Sequence, residues 1–97
     1  MPSKRELKKD IRALSEIVIT DALEMSVTFE KEKEHQKILD IIVEMANLHN
    51  DLITRVNHPD GKDNPKLVKK YYNAIIKDLL AGCNKAYEKL NAIANPA

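Results

Sequence analysis

The segment Phe29–Gln36 reads FEKEKEHQ, and the fold depends on whether the chain bends there. The segment contains no glycine or proline, and charged residues alone do not end a helix. If the segment were helical throughout, the helices on either side would form one rod more than about 80 Å long. A single chain could not bury the apolar stripes of such a rod. We therefore predict a bend around Thr28–Lys33. The alternative is an unbroken rod, which would require a dimer.

Upstream of this bend, the sequence predicts a helix over residues 3–28. The helix opens with SKRE, whose serine and glutamate form a capping box. Apolar residues then recur every three or four positions and predict a buried stripe: Leu7, Ile11, Leu14, Val18, Ala22, Met25 and Phe29. A second, thinner stripe of Ile19, Leu23 and Val27 predicts that the buried face widens toward the end of the helix.

A second helix is predicted over residues 34–57, and it is the most apolar segment of the chain. One seam of this helix comprises Ile38, Ile42, Met45, His49, Leu52 and Val56. The seam is flanked by Ile41, Leu48, Leu39, Ala46 and Ile53. An apolar arc this broad predicts a helix that lies between two neighbours, or one that also meets another subunit.

The segment Val56–Pro65, VNHPDGKDNP, contains both internal prolines of the chain. Its first proline disfavours helical backbone at the preceding residue and so ends the second helix, while the Asp-Gly pair favours a turn. The Asn-Pro pair then caps and opens a third helix. Because each unusual residue has a structural role, we favour a turn. A ligand site built on His58, Asp60 and Asp63 is the alternative.

The third helix is predicted over residues 65–94, with a stripe whose spacing is close to 3.5 residues. The stripe comprises Val68, Tyr72, Ile75, Ile76, Leu79, Cys83, Ala86, Leu90 and Ile93. Gly82 interrupts the helix and predicts a close crossing with another helix. We therefore predict an all-α fold over residues 1–97: a single domain that forms an antiparallel up-down-up three-helix bundle with long helices.

The composition agrees with this fold class. The chain of 97 residues is 43% apolar and 32% charged, has two glycines and no tryptophan, and carries a formal charge of +1. No apolar run is long enough for a signal peptide or a membrane span, which predicts a cytoplasmic protein without a membrane partner. The only cysteine, Cys83, cannot form an internal disulfide, so the fold must be held by packing.

No pattern in the sequence predicts catalysis, a cofactor or a metal site. Glu32 and His35 have Glu-x-x-His spacing, but no second copy of the motif exists, and three helices cannot supply the carboxylates of a di-iron site. Cys83 lies on a core seam without an activating base. An enzymatic alternative places His49 with Asp51, Arg55 and Tyr71 in a cleft. For the adjacent tyrosines, we expect Tyr72 to face the core and Tyr71 to cover the edge of the bundle. Tyr71 would then lie close to helix 2 and within reach of His49 or Arg55.

Charge is distributed unevenly in the predicted bundle. The start of helix 1, the end of helix 2 and the start of helix 3 meet at one end, where we expect a basic pole able to bind an anion. Its candidate residues are Lys4, Arg5, Lys8, Lys9, Arg12, Arg55, Lys66, Lys69 and Lys70, with Lys62 nearby. The simpler interpretation, which we favour, is that the lysines only keep this end hydrated. Arginine is scarce and no row of exposed aromatics accompanies the lysines, so a sequence-specific nucleic-acid reader is not indicated.

The sequence resembles a small family of uncharacterised all-helical proteins of Bacteroidetes bacteria. The likeness lies in KRELKKDI (Lys4–Ile11) and LHNDLITRVNHPDG (Leu48–Gly61) and extends over nearly the whole chain, although FEKEKEHQ differs from the Gly- and Pro-containing link of that family. The resemblance implies a helical bundle without an assigned activity, cofactor or substrate. It implies the following candidate site residues: His49, Asp51, Arg55, His58 and Pro59.

These observations favour a non-enzymatic interaction module that binds a protein partner, with self-association through the broad apolar face of helix 2 as a further prediction. The alternative is a binder of an anionic ligand or nucleic acid that uses the basic pole.

Overall fold

The structure is a computed structural model, and it describes residues 3–29, 31–59 and 64–95. Its three α-helices are α1 (Lys4–Thr28), α2 (Glu32–Asn57) and α3 (Pro65–Ala94). The described residues contain no strand, and each helix contacts the other two. The predicted all-α three-helix bundle is confirmed, with helices 25, 26 and 30 residues long.

The chain bends between α1 and α2, so the unbroken rod is excluded. Phe29 and Lys31 both have extended backbone, with φ and ψ of −98° and 108° at the first and −69° and 132° at the second. The Lys31 side chain makes no capping hydrogen bond. Glu32 and Glu34 lie in the first turn of α2, where the helix dipole favours negative charge. With so little local support, the bend depends mainly on burial of the apolar stripes against each other.

The starts of α1 and α3 have the caps that the sequence predicts. The Glu6 amide donates to Ser3 Oγ at 3.1 Å, and the Ser3 amide donates to Glu6 Oε2 at 3.4 Å, which completes the capping box. Asn64 Oδ1 accepts from the amides of Lys66 and Leu67 at 3.0 and 3.3 Å. These bonds satisfy amides that have no partner inside a helix, so both helix starts are encoded locally.

The end of α2 also agrees with the sequence, because His58, the residue before Pro59, is the C-cap of the helix. The predicted Asp60-Gly61 turn lies outside the described residues. So do Asp60 and Asp63, two of the three residues of the alternative ligand site in this segment.

Contacts between the helices establish the up-down-up order. Glu44, in the first half of α2, bonds Lys89 near the end of α3, whereas Arg55, near the end of α2, bonds Asp78 in the first half of α3. Helices α2 and α3 are therefore antiparallel. The Tyr87 hydroxyl, late in α3, donates to an Asp21 carboxylate late in α1, so these two helices run in the same direction. The resulting body measures 52 × 22 × 16 Å.

The core takes its residues from all three predicted stripes. Its buried apolar members are Leu7, Ile11, Val18, Ala22, Ile38, Ile41, Met45, Leu52, Val56, Tyr72, Ile75, Leu79, Cys83, Ala86 and Leu90. Two details differ from the predictions. Ile41 is more deeply buried than Ile42, which is only partly buried. The predicted widening of α1 is wrong, because Leu23 is 52% exposed and Val27 is 82% exposed.

Gly82 marks the close helix crossing that the sequence predicts. A Cβ atom at this position would overlap with Cδ2 of Leu48, a half-buried residue of α2. The glycine therefore allows the Leu48 side chain to lie against the backbone of α3. Glycine inside a helix lowers stability by about 1 kcal/mol relative to alanine. The close contact with Leu48 is the physical reason for a glycine at this position.

We expect Gly82→Ala to stabilise the protein by about 1 kcal/mol when Leu48 has been replaced by alanine, since the gain in helix propensity is then unopposed. In the wild-type background the gain should be cancelled, because Leu48 must leave its rotamer at a cost of about 0.5–1.5 kcal/mol. Urea denaturation of the four proteins of this double-mutant cycle measures the difference. An equal effect of the glycine substitution in both backgrounds would contradict the proposed contact.

Candidate functional site

The topology brings the predicted basic residues to one end of the bundle. The start of α3 meets the end of α2 there, where the Tyr71 hydroxyl donates to the His58 carbonyl oxygen at 3.4 Å. Nine described basic residues lie at this end: Lys4, Arg5, Lys8, Lys9, Arg12, Arg55, Lys66, Lys69 and Lys70. Against Glu6, Asp10 and Asp51 they leave a net charge of +6. The remaining described residues carry six positive and nine negative side chains, a net charge of −3.

Arg55 differs from the other members of this basic pole because it connects two helices. Its Nη1 lies 2.8 Å from Asp78 Oδ2 on α3 and 3.9 Å from Asp51 Oδ2 on its own helix. The guanidinium carbon lies 6.0 Å from the centre of the Tyr71 ring. The hydrogen bond that Arg55 donates to the Asp78 carboxylate is the largest of the effects that raise the pKa of Arg55. The four-residue spacing of Asp51 and Arg55 is enough to place them on one side of α2. The contact of Arg55 with Asp78 could not be predicted, because spacing within one helix says nothing about the register between helices.

The residues of the enzymatic alternative are only partly brought together. Arg55 lies beside both Asp51 and Tyr71. His49 is half-buried, and its Nδ1 lies 3.0 Å from Oδ1 of its neighbour Asn50. Because two residues turn about 200° around a helix axis, His49 and Asp51 leave α2 in nearly opposite directions. The two side chains therefore do not face a common cleft.

His58 and Pro59, the remaining residues implied by the family resemblance, end α2. The His58 amide donates to the Thr54 carbonyl oxygen at 3.1 Å, and its own carbonyl accepts from Tyr71. Its side chain is exposed. These contacts are those of a helix stop, as the turn interpretation of this segment predicts.

The described part of the chain contains no group of three or more His, Cys, Asp or Glu side chains that could hold a metal ion. Glu32 and His35, the one match to a di-iron motif, are both exposed in the first turn of α2. Cys83 is buried in the core as a free thiol, and desolvation raises its pKa. A protonated, buried thiol is a small apolar core residue, which is the role predicted for it.

A groove lies between the second halves of α1 and α3, and the sequence did not indicate it. Its volume is about 600 Å³, and its lining residues include Met25, Leu90, Asp21, Tyr87 and Glu88. The Tyr87 hydroxyl donates to Asp21 Oδ2 at 2.6 Å. This hydrogen bond, supported by partial burial and by the negative charge of Asp21, raises the pKa of Tyr87 to about 12.

We expect the free energy of unfolding to contain a component from Tyr87 that disappears at high pH. Folding raises the pKa of Tyr87 from 10.0 to about 12, so this stabilisation is fully present below pH 10 and is lost as the pH rises to about 12. A tyrosinate absorbance step near pH 12 should be absent from Tyr87→Phe, and the stability difference between wild type and this variant should shrink between pH 10 and 12. An unchanged absorbance titration of the variant would contradict the assignment.

Exposed apolar side chains gather on the face formed by α1 and α2. The Asp21 side chain accepts a hydrogen bond from α3. Leu23 comes two residues later, so its side chain leaves α1 about 200° away around the helix axis, on the side of α1 that is nearer to α2. The Glu44 side chain accepts a hydrogen bond from Lys89 of α3. The Leu39 side chain leaves α2 about 140° away from Glu44 around the helix axis, on the side of α2 that is farther from α3. Because the helices are antiparallel and joined by a short link, the two leucines lie at similar levels along the bundle. We define the α1–α2 apolar face by the following residues: Ile19, Leu23, Val27, Leu39, Ile42 and Val43.

Ile19 and Ile42 are partly buried against the core and form the floor of this face. The other four side chains are between 49% and 82% exposed. Four other large apolar residues are similarly exposed: Ile17, Leu67, Leu80 and Tyr87. Tyr87 contacts Asp21, and Ile17 and Leu80 lie whole turns away from these two residues, so all three lie on the α1–α3 face. Leu67 lies on the side of α3 that contacts α2 through Asp78. The sequence contained a signal for this face in two places. The second stripe of α1 was predicted to widen the buried face of that helix, and the broad arc of α2 was predicted to lie between two neighbours or to meet another subunit.

Among the described helices, none combines the length and apolar character that a membrane crossing needs. Comparison of the chain with protein-family models, curated proteins and solved structures gives no match, so the family resemblance stays a prediction.

Proposed function

We propose that the protein is a non-enzymatic helical interaction module that binds a protein surface through the α1–α2 apolar face. The observation that carries this proposal is the cluster of four large apolar side chains that remain exposed on two adjacent helices. Contiguous exposed apolar surface is characteristic of protein–protein interaction sites. The proposal includes a cytoplasmic location, in line with a single buried cysteine that forms no disulfide.

The proposal is tested by affinity capture from a lysate of the host organism, with and without nuclease. The variant Leu23→Lys/Leu39→Lys should lose the captured protein. Its matched control is Leu67→Lys/Leu80→Lys, which places the same two charges at positions 50% and 51% exposed on other faces and should retain the protein. Equal capture by wild type and both variants would overturn the use of this face.

A second candidate function is binding of a nucleic acid or another polyanion by the basic pole. It is supported by the net charge of +6 at one end of a molecule whose other described residues carry −3. Lysine clusters attract polyanions by releasing counterions, so affinity should fall steeply with salt. Nuclease-sensitive capture in the experiment above would favour this function over the first.

The polyanion function is tested with duplex DNA of mixed sequence at two or more salt concentrations. Replacing Lys8, Lys9, Lys69 and Lys70 with glutamine should abolish binding at moderate salt and reduce the slope of log affinity against log salt by about 3–4. The matched control replaces four lysines outside the pole: Lys31, Lys33, Lys37 and Lys85. Identical weakening by both sets would show that net charge alone, rather than the pole, controls binding.

A further inference from the structure

We propose that the groove between the second halves of α1 and α3 binds a basic amphipathic helix of another protein, one that carries lysine or arginine beside an apolar stripe. We call this groove the α1–α3 groove. It lies on a different face from the α1–α2 apolar face, so the inference adds a second interaction surface and does not depend on the first. The lining of the groove, the sign of its charges and its length support the proposal.

The α1–α3 groove combines apolar surface with carboxylates. Its described lining residues comprise three apolar side chains, two carboxylates and three uncharged polar side chains. The apolar side chains are Met25, Leu90 and Ala94. Met25 packs against the core but is only partly buried, and the Tyr87 ring is 39% exposed beside it. An apolar side chain of a partner would cover both of these surfaces.

The charges along the α1–α3 groove have one sign. Asp21 and Glu88 line it, and its described lining contains no basic side chain. Glu24 lies three residues after Asp21, on the same side of α1, and adds a third exposed carboxylate nearby. The groove between α2 and α3 has balanced charges instead, and its charged lining residues are Lys37, Lys89, Asp40 and Glu44. A basic partner therefore complements the α1–α3 groove and not its neighbour.

The lysines of this part of the bundle lie away from the α1–α3 groove. Residues 13–29, in the second half of α1, include three carboxylates and no lysine or arginine. On α3, Lys89 bonds Glu44 of α2, and Lys85 lines a cavity together with residues of α2. The basic pole lies at the opposite end of the bundle, where α1 and α3 start. The field of the protein therefore attracts a basic partner to the groove and repels it from the pole.

Asp21 is held in position for such a partner. The Tyr87 hydroxyl donates to Asp21 Oδ2 at 2.6 Å, which fixes the carboxylate at the edge of the groove. A carboxylate can accept about four hydrogen bonds, so Asp21 can still accept one from a lysine or arginine. Because the Asp21 side chain is already ordered, binding loses less of its conformational entropy.

The length of the surface fits a helix. A depression of about 420 Å³ on α1, lined by Ala13, Glu16 and Ile17 among others, meets the α1–α3 groove at Asp21. From Ala13 to Met25 the surface extends about 18 Å at 1.5 Å per residue, the length of a helix of about 12 residues. A small cation would leave most of the apolar lining uncovered. A helix that lies between α1 and α3 instead completes a four-helix arrangement.

A labelled synthetic peptide tests the proposal by fluorescence anisotropy. The peptide has about 14 residues, with leucine at every third or fourth position and lysine or alanine elsewhere. The wild type should bind it with a dissociation constant on the order of micromolar or higher, and binding should weaken as salt is raised, because exposed charges are screened. Asp21→Asn/Glu88→Gln should weaken binding about tenfold.

The matched control is Glu32→Gln/Asp40→Asn, which removes two carboxylates from α2 and should bind the peptide like the wild type. Circular dichroism checks that both variants are folded. Equal weakening by the two variants would mean that total charge controls binding, which would overturn the inference. A wild type that binds the peptide no more tightly than its counterpart with glutamate in place of lysine would also overturn it.

Two further measurements test the occupant and the place. A peptide with serine in place of leucine should bind more weakly, and so should spermine. If either bound as tightly as the first peptide, the occupant would be a simple polycation and the amphipathic helix would be excluded. In amide NMR spectra, the peptide should shift the signals of Met25, Tyr87 and Glu88. Shifts centred on Leu23 and Leu39 would place the peptide on the α1–α2 apolar face and contradict the proposal.

Discussion

Replacing Leu79 with alanine is expected to destabilise the protein by about 3–5 kcal/mol. Leu79 is only 2% exposed and lies in the core stripe of α3. Its replacement loses the free energy of burying the leucine side chain and leaves a cavity that close-packed neighbours fill only in part. Small domains are stable by about 5–15 kcal/mol in total, so this substitution should remove a large fraction of the folding free energy. Guanidinium denaturation followed by circular dichroism measures the effect.

The adjacent residue supplies a matched control for this prediction. Leu80 is 51% exposed on the same helix, and Leu80→Ala makes the same chemical change at a site that keeps much of its contact with water. Alanine also has a slightly higher helix propensity than leucine, which offsets part of the loss. We expect a change below about 1 kcal/mol. Equal destabilisation by the two substitutions would contradict the assignment of the α3 core stripe.

Replacing Ser15 with alanine is expected to stabilise the protein by about 2 kcal/mol. Ser15 is 2% exposed, and its Oγ has no hydrogen-bond partner among the described residues. A buried hydroxyl without a partner costs about 1–3 kcal/mol, and alanine has a helix propensity about 0.5 kcal/mol more favourable than serine. The substitution removes a single oxygen atom, so the surrounding core need not rearrange. Thermal and urea denaturation should both show the gain.

Ser26→Ala in the same helix is the control for the buried serine. Ser26 Oγ donates to the Leu23 carbonyl oxygen at 2.6 Å, and its side chain is partly exposed. The free energy lost with the hydrogen bond of this hydroxyl is about equal to the free energy gained from the higher helix propensity of alanine. We therefore expect the free energy of unfolding to change by less than about 0.5 kcal/mol. If Ser15→Ala left stability unchanged or lowered it, the Ser15 hydroxyl would have to be satisfied in the folded protein.

Local chemistry made the helix starts predictable from the sequence. The capping box at Ser3 and the Asn64-Pro65 pair each use side chains within three residues of the amides they satisfy, so no tertiary contact is needed to identify them. The start of α2 has no side-chain cap, and it lies at Glu32 rather than at the predicted residue 34.

The candidate site was predictable only in part. The basic pole follows from topology: once the chain bends twice, the start of α1, the end of α2 and the start of α3 must lie together. The bonds of Arg55 to Asp78, and of Tyr87 to Asp21, were not predictable. Each joins residues on different helices, and their formation depends on how far one helix slides along another.

Three amphipathic helices, and the starts of two of them, follow from the amino-acid sequence without any tertiary contact. Hydrophobic periodicity predicts the helices, and side chains within a few residues of each start provide the caps. Tertiary structure alone decided which apolar side chains remain exposed. Leu23, Val27 and Leu39 belong to predicted apolar stripes but lie outside the core. A helix in a three-helix bundle can bury only the arc that faces its two neighbours, and the width of that arc depends on how all three helices pack.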